Sequence, residues 1–245
     1  MSAVPGFAPD WPAPANVRAW VTERGSAARY GALNLALHVG DDAKAVALNR
    51  GRLRAGLGLH SEPRWLEQVH GTRILDLDRE HGPAAADGAV TAVPGSVCAV
   101  LTADCLPVVL CSSDGRRVGV AHAGWRGLLE GVLPAAVAAI RTDPAHLMAW
   151  LGPAISQAAY EVGGDVRDAF VARDAAAAAK FAPNTRGRWQ ADLYGLARDA
   201  LAAAGVRSVH GGGFCTYTDS QRFFSHRREA PCGRMATLAW LDRLP

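Results

Sequence analysis

Three short apolar runs in the middle of the chain, residues 97–101, 107–111 and 118–121, constrain the fold more than any other feature. Each is bounded by polar or turn residues, too short for a typical helix, and reads as a strand. Thr102-Ala103-Asp104-Cys105 separates the first two. The third ends in His122-Ala123-Gly124-Trp125-Arg126-Gly127. An Ala- and Leu-rich segment, 128–140, follows with a helical pattern, and Pro134 predicts a kink or boundary inside it. The pattern predicts strands that deliver their terminal loops to one place, with a helix starting just behind them.

The flanks add alternating elements. Residues 17–22 read as a strand, and 31–40 as a loop with an embedded apolar stretch. Asp41 and Asp42 precede a capped helix that carries Val46, Leu48 and Leu53. A helix is predicted over 166–180. The clearest helix covers 192–204, capped by Asp192, with Leu193, Leu196, Ala197, Ala200 and Leu201 on one face and Gly205 to end it. A strand resumes at 206–209. With no internal repeat and no linker, 245 residues of which 49% are hydrophobic fit one layered, mixed α/β domain over 16–245. The Ala- and Pro-rich residues 1–15 read as a flexible segment before it.

Partners are narrowed by what is missing. No run of about 18 apolar residues is present, and the start of the chain has neither a basic leader nor an apolar stretch, so a cytoplasmic protein without membrane contact is expected. Five cysteines without close pairing fit reduced thiols. A net charge of +3 with scattered arginines does not point to nucleic acid; local arginines are better suited to a small anion. A monomer is physically reasonable.

Three polar residues sit where apolar strands end: His70, Cys105 and His122. Their separations, 34 and 16 intervening residues, match no compact zinc-finger pattern. Two imidazoles and a thiolate would nevertheless leave a tetrahedral zinc with one open position, the arrangement of a catalytic site. Cys105 and His122 would equally serve as a thiolate–imidazolium pair, with Cys105 a nucleophile and no metal. Taken singly, each is also an ordinary core or hydrogen-bonded residue, and spacing does not separate these readings. Arg126 lies beside the backbone N–H groups of a glycine-flanked turn, which suits phosphate or carboxylate. Phe223-Phe224-Ser225-His226-Arg227-Arg228 and Gly233-Arg234 offer either buried phenylalanines with exposed arginines or a pocket for a ring plus an anion.

The blocks Leu33-Asn34-Leu35, Gln68-Val69-His70-Gly71, Ala86-Asp87-Gly88, Thr102-Ala103-Asp104-Cys105-Leu106-Pro107 and Ala121-His122-Ala123-Gly124-Trp125-Arg126-Gly127 resemble the YfiH-like, laccase-domain family. Leu151-Gly152-Pro153-Ala154-Ile155, Tyr160-Glu161-Val162-Gly163 and Phe223-Phe224-Ser225-His226-Arg227-Arg228 continue the resemblance in order to the C-terminal region. It implies a layered α/β fold, with mixed sheets flanked by helices, and zinc held by His70, Cys105 and His122. Members have been described as copper polyphenol oxidases. Purine nucleoside activities are implied too: phosphorolysis of adenosine, inosine and methylthioadenosine, and deamination of adenosine. Some bacterial members are linked to editing peptidoglycan precursors. His226 stands where many members have Tyr.

Multicopper chemistry needs many histidines in short paired motifs; this chain has eight, none in an H-x-H pair. Zinc, which the resemblance implies, is the expected cofactor, with copper a chemically permitted substitute at a His₂Cys site. For purine chemistry, Asp104 is the candidate acid/base or orienting group, while Arg126, then Arg227 and Arg228, are candidates for phosphate. Asn34 completes the substrate-contact set. A peptidoglycan-precursor hydrolase, using a metal-activated water or Cys105, is the alternative. A structural metal domain would require a fourth ligand such as Cys215 or His226.

Overall fold

All three central apolar runs are strands buried along their whole length. Two facing sheets explain this in the computed structural model, which describes residues 4–242. The first sheet has the spatial order β1 (Gly6–Phe7), β2 (Val17–Thr22), β13 (Met235–Leu241), β5 (Val97–Thr102), with antiparallel neighbours. The second runs β12 (Ser208–Gly211), β8 (Leu147–Leu151), β6 (Leu106–Ser112), β7 (Val118–Ala123), β4 (Gly88–Thr91), β3 (Ile74–Asp76), with parallel pairing confined to its two edge strands.

Between the sheets, Val21, Cys98, Val100 and Ala239 pack with Val109, Val118 and Val120. On the outer face of the first sheet, α1 (Ala43–Gly56) sets Leu53, with Leu33 and Leu35, against Ala99, Leu101 and Leu238. On the outer face of the second lie α2 (Trp125–Glu130), α3 (Val132–Ile140), α4 (Gly164–Arg173) and α5 (Leu193–Ala203). Here Leu133, Val137, Ile140, Leu196 and Leu201 meet Val108, Leu110 and Ala149. A strand covered on both faces needs an apolar side chain at every position, so the runs are unbroken rather than alternating. A small antiparallel sheet of β9 (Glu161–Val162), β10 (Phe181–Pro183) and β11 (Trp189–Ala191), and the short α6 (His226–Glu229), complete the fold. The result is a single mixed α/β domain of helix, sheet, sheet and helix layers.

The predicted caps are present. Asp42 accepts from the Lys44 N–H and Asp192 from the Gly195 N–H, and Gly205 turns the chain after α5 at φ +90°. Other boundaries differ. The break expected at Pro134 lies at Gly131, φ +102°, and Pro134 sits in the first turn of α3, where its missing N–H costs no helical hydrogen bond. The helix expected to reach residue 180 stops at Arg173; extended Asp174 then caps a 3₁₀ helix, Ala175–Lys180. The expected flexible segment 1–15 is anchored where it is described: Gly6–Phe7 pairs with β2, and the Phe7 ring lies 5.5 Å from Phe214 and 6.3 Å from Trp150. Residues 1–3 and 243–245 lie outside the described part.

Candidate metal centre

Val118 and Val120 of β7 point between the sheets, and the period of two puts His122 on the same side at the strand's end. Along β6, Val109 and Cys111 share that side, so the same alternation carries through Pro107 to Cys105. Pairing sets Pro107 opposite His122 and Leu106 opposite Ala123. The third member, His70, arrives on the loop before β3 with φ +59°, a left-handed conformation uncommon for any residue but glycine.

These three side chains, and among the described residues no other His, Cys, Asp or Glu, form one cluster whose ligand atoms lie within 4.8 Å of one another. Cys105 Sγ is 3.8 Å from His70 Nε2, and the two imidazole rings are 4.8 Å apart at 72°. A tetrahedral zinc with ordinary bond lengths spaces its N and S ligands by about 3.6 Å, so this donor set fits the ion. Gly124 supplies the room. A Cβ there would stand 2.9 Å from His70 Cδ2 and 3.0 Å from Cys105 Sγ.

Two carboxylates hold the loops. Asp87, fully buried just before β4, accepts from the N–H groups of Val69 (3.2 Å), His70 (2.9 Å) and Gly71 (2.7 Å). It also bonds His122 Nδ1 at 2.8 Å, which leaves Nε2 of that ring for the centre. Burial pushes its carboxyl up, but the His122 bond and the Gly71 N–H outweigh it and hold the group below the usual range. Asp104, nine-tenths buried at φ +89°, accepts from the Thr216 hydroxyl (2.6 Å) and the Arg227 N–H (2.7 Å), while its own carbonyl accepts from Ile155. Each carboxylate oxygen thus accepts one hydrogen bond, which ties the Cys105 turn to Thr216 and Arg227. Burial opposes ionisation of Cys105 and protonation of His122, yet their mutual attraction wins: the thiol is lowered and the imidazole raised.

The remaining predicted residues divide. Arg126 is exposed at the start of α2, its guanidinium over the Trp125 ring at 4.3 Å, with no hydrogen bond or ion pair to the described residues. Arg227 donates through Nη1 to the Glu161 carbonyl and lies 5.4 Å from the Tyr160 ring. Arg228 is spent on the carbonyls of Thr216, Tyr217 and Phe223 and on Glu229, so it is a tie for the 216–223 loop, not a free anion ligand. Asn34 is also saturated: its amide donates to Ala36 and Asp41, and its oxygen accepts from Ala36 and Arg234. Phe223 and Phe224 are fully buried, so of the two readings of this segment the structure shows the packed phenylalanines. Cys215 accepts from Ser156 and, like His226, stands outside the cluster.

Sequence reasoning gave no role to Asp87 or Tyr160, although both lie in the quoted motifs. Burial, and after it the charge of Cys105, keep the Tyr160 phenol protonated well above its usual range, with Asp104, Arg126 and Arg227 also acting on it. A cleft of about 460 Å³ adjoins the His70 loop, lined in part by His38, Arg50, Trp65 and Glu67. The Arg50 guanidinium lies over the Trp65 ring there, and burial, then Arg234 and Arg50, depress the His38 pKa.

Residues 18–242 match the family described as multi-copper polyphenol oxidoreductase laccase. The chain belongs to this family. A Pseudomonas aeruginosa purine nucleoside phosphorylase is 51% identical over 96% of this chain and 97% of its own length. Escherichia coli purine nucleoside phosphorylase YfiH is 48% identical over 95% and 97%. The crystal structure of a Neisseria meningitidis family protein superposes with a TM-score of 0.92 at 45% identity, covering 97% of this chain and 99% of that one. The YfiH-like fold expected from the motifs is thereby shown. Among the described residues no helix is long and apolar enough to cross a membrane.

Proposed function

We propose that this protein is a zinc-dependent purine nucleoside phosphorylase that also deaminates adenosine. The observation that carries the reading is the three-residue His70, Cys105, His122 cluster, bordered by Gly124, with the uncommitted guanidinium of Arg126 two residues further along the same turn into α2. Three protein ligands are the number a catalytic zinc keeps, whereas structural sites use four. The names of the Pseudomonas and Escherichia relatives support the substrate class. The family description mentions copper, and a His₂Cys set accepts that ion as well. One cluster of three ligands does not supply the many histidines of multicopper oxidation.

When bound, the metal supplies Lewis acidity that polarises a substrate atom or acidifies water. In phosphorolysis, Arg126 holds the phosphate, with Arg227 the next cation in reach of the same mouth. A phosphate oxygen bonds to the sugar C1′ as the C1′–N9 bond breaks; the purine leaves with the bonding pair and takes up the proton released by the hydrogen phosphate, giving the sugar 1-phosphate and the free purine. Tyr160, kept neutral, presents a hydroxyl and a ring face to the substrate. Adenosine, inosine and methylthioadenosine share the bond that is broken. The five free thiols suit a reducing cytoplasm, where we place the protein as a monomer.

One observation favours a second reading. Cys105, His122 and Asp87 form a thiolate–imidazole–carboxylate series, which would let Cys105 attack an amide carbonyl of a peptidoglycan precursor without metal. The deciding experiment incubates zinc-loaded protein with adenosine, with and without phosphate, beside Cys105→Ala. Phosphate-dependent adenine or phosphate-independent inosine, lost in the variant, is the expected result. No product from metal-loaded protein would overturn the purine reading and move precursor hydrolysis to the front.

A further inference from the structure

We infer that Asp87 is the positioning residue that presets the metal centre, acting on both histidines at once. The inference rests on the metal reading above. Outside the cluster itself, Asp87 is bonded to both: it takes the His70 backbone N–H at 2.9 Å and the His122 Nδ1 at 2.8 Å, with the same oxygen, Oδ1. Its other oxygen takes the N–H groups of Val69 and Gly71. In addition the Asp87 carbonyl accepts from the His122 backbone N–H at 2.6 Å.

Two features go beyond an ordinary buried carboxylate. Three successive N–H groups point at one side chain, and the residue in their middle, His70, is held at φ +59°. That backbone is unfavourable for histidine unless its surroundings enforce it, and Asp87 is what encloses it. The bond to Nδ1 also fixes the ring and tautomer of His122, so that Nε2 is the atom offered. Neither arrangement requires the ion: the His70 backbone and the orientation of the His122 ring are set by the protein's own hydrogen bonds.

Asp87→Asn keeps the size but turns an acceptor into an NH₂ that must face either two backbone N–H groups or an imidazole N–H. Its expected effect is a zinc affinity about 10- to 100-fold weaker, measured by competition with a chromogenic chelator. Asp78→Asn is the control. Asp78 also accepts two hydrogen bonds, from Thr91 Oγ1 and the Ala92 N–H, but touches no ligand residue; this variant should lose stability while keeping wild-type zinc affinity. Equal affinity in wild type and folded Asp87→Asn would overturn the inference while leaving the metal reading standing. A wild type that retains no zinc would overturn both. Should Asp87→Asn fail to fold, long-range ¹H–¹⁵N spectra of the zinc-loaded wild type decide: a proton on His122 Nδ1 supports the assignment, and a proton on Nε2 overturns it.

Discussion

Gly124 enters α2 at φ −68°, a backbone that alanine adopts without strain, so its bareness answers to its neighbours. The nearest are two of the three side chains of the His70, Cys105, His122 cluster, and an added methyl would stand in the space they share. Gly124→Ala is therefore expected to fold with a thermal midpoint close to wild type and to bind zinc at least about tenfold more weakly, because ligand atoms must move off their tetrahedral spacing. Unchanged zinc affinity would show that the cradle is not where the ion sits. At this scale the residue types and the meeting of the strand-end loops could be read from the chain, but the choice of a metal set over the other readings came from the motif resemblance. Asp87 escaped because most of its partners are backbone N–H groups, which carry no sequence signature. Asn34 and Arg228, expected to meet substrate, show the converse: the structure gives their side chains partners within the protein. A motif marks constraint without saying whether the constraint is a substrate or a buried knot of carbonyls and amides.

Elements were more legible where local chemistry decides them. Asp192 caps α5 through the Gly195 N–H, and Asp192→Ala should lower the stability of the protein by about 1 kcal/mol in a denaturant titration, with the slope unchanged. A loss below a few tenths would mean that packing of Leu193, Leu196 and Leu201 holds that end without the cap. The central strands were readable because double burial makes them uniformly apolar. Met235–Leu241 is nearly as apolar and buried, with Trp240 partly exposed, and went unassigned although Pro231, Gly233 and Asp242 bound it. The split between α2 and α3 was misplaced by three residues. Proline draws attention, but glycine in a left-handed turn is what stops a helix.

For the whole molecule, the layers were implied by the resemblance and by the pattern of apolar runs, whereas the tying-down of the N-terminal segment was not. Ala- and Pro-rich composition argues for a loose segment, and one aromatic residue outweighs it. Phe7 fills the gap among Trp150, Phe214 and Phe223, with Arg222 stacked over its ring at 4.9 Å. Phe7→Ala should destabilise the protein by about 2 kcal/mol, less than for a fully buried ring, and leave zinc affinity unaltered. A change in zinc affinity without loss of stability would contradict that separation. The position of β13 has a further consequence, for the order in which the molecule is made. The last described strand is an interior one, inserted between β2 and β5, and its Met235 pairs with Thr102, two residues ahead of Asp104. While the ribosome is still adding residues before 235, β2 and β5 have no strand to join them, and the wall that carries the Cys105 turn is incomplete. Assembly of that wall therefore waits until residues 235–241 have been made, well after the Cys105 turn itself.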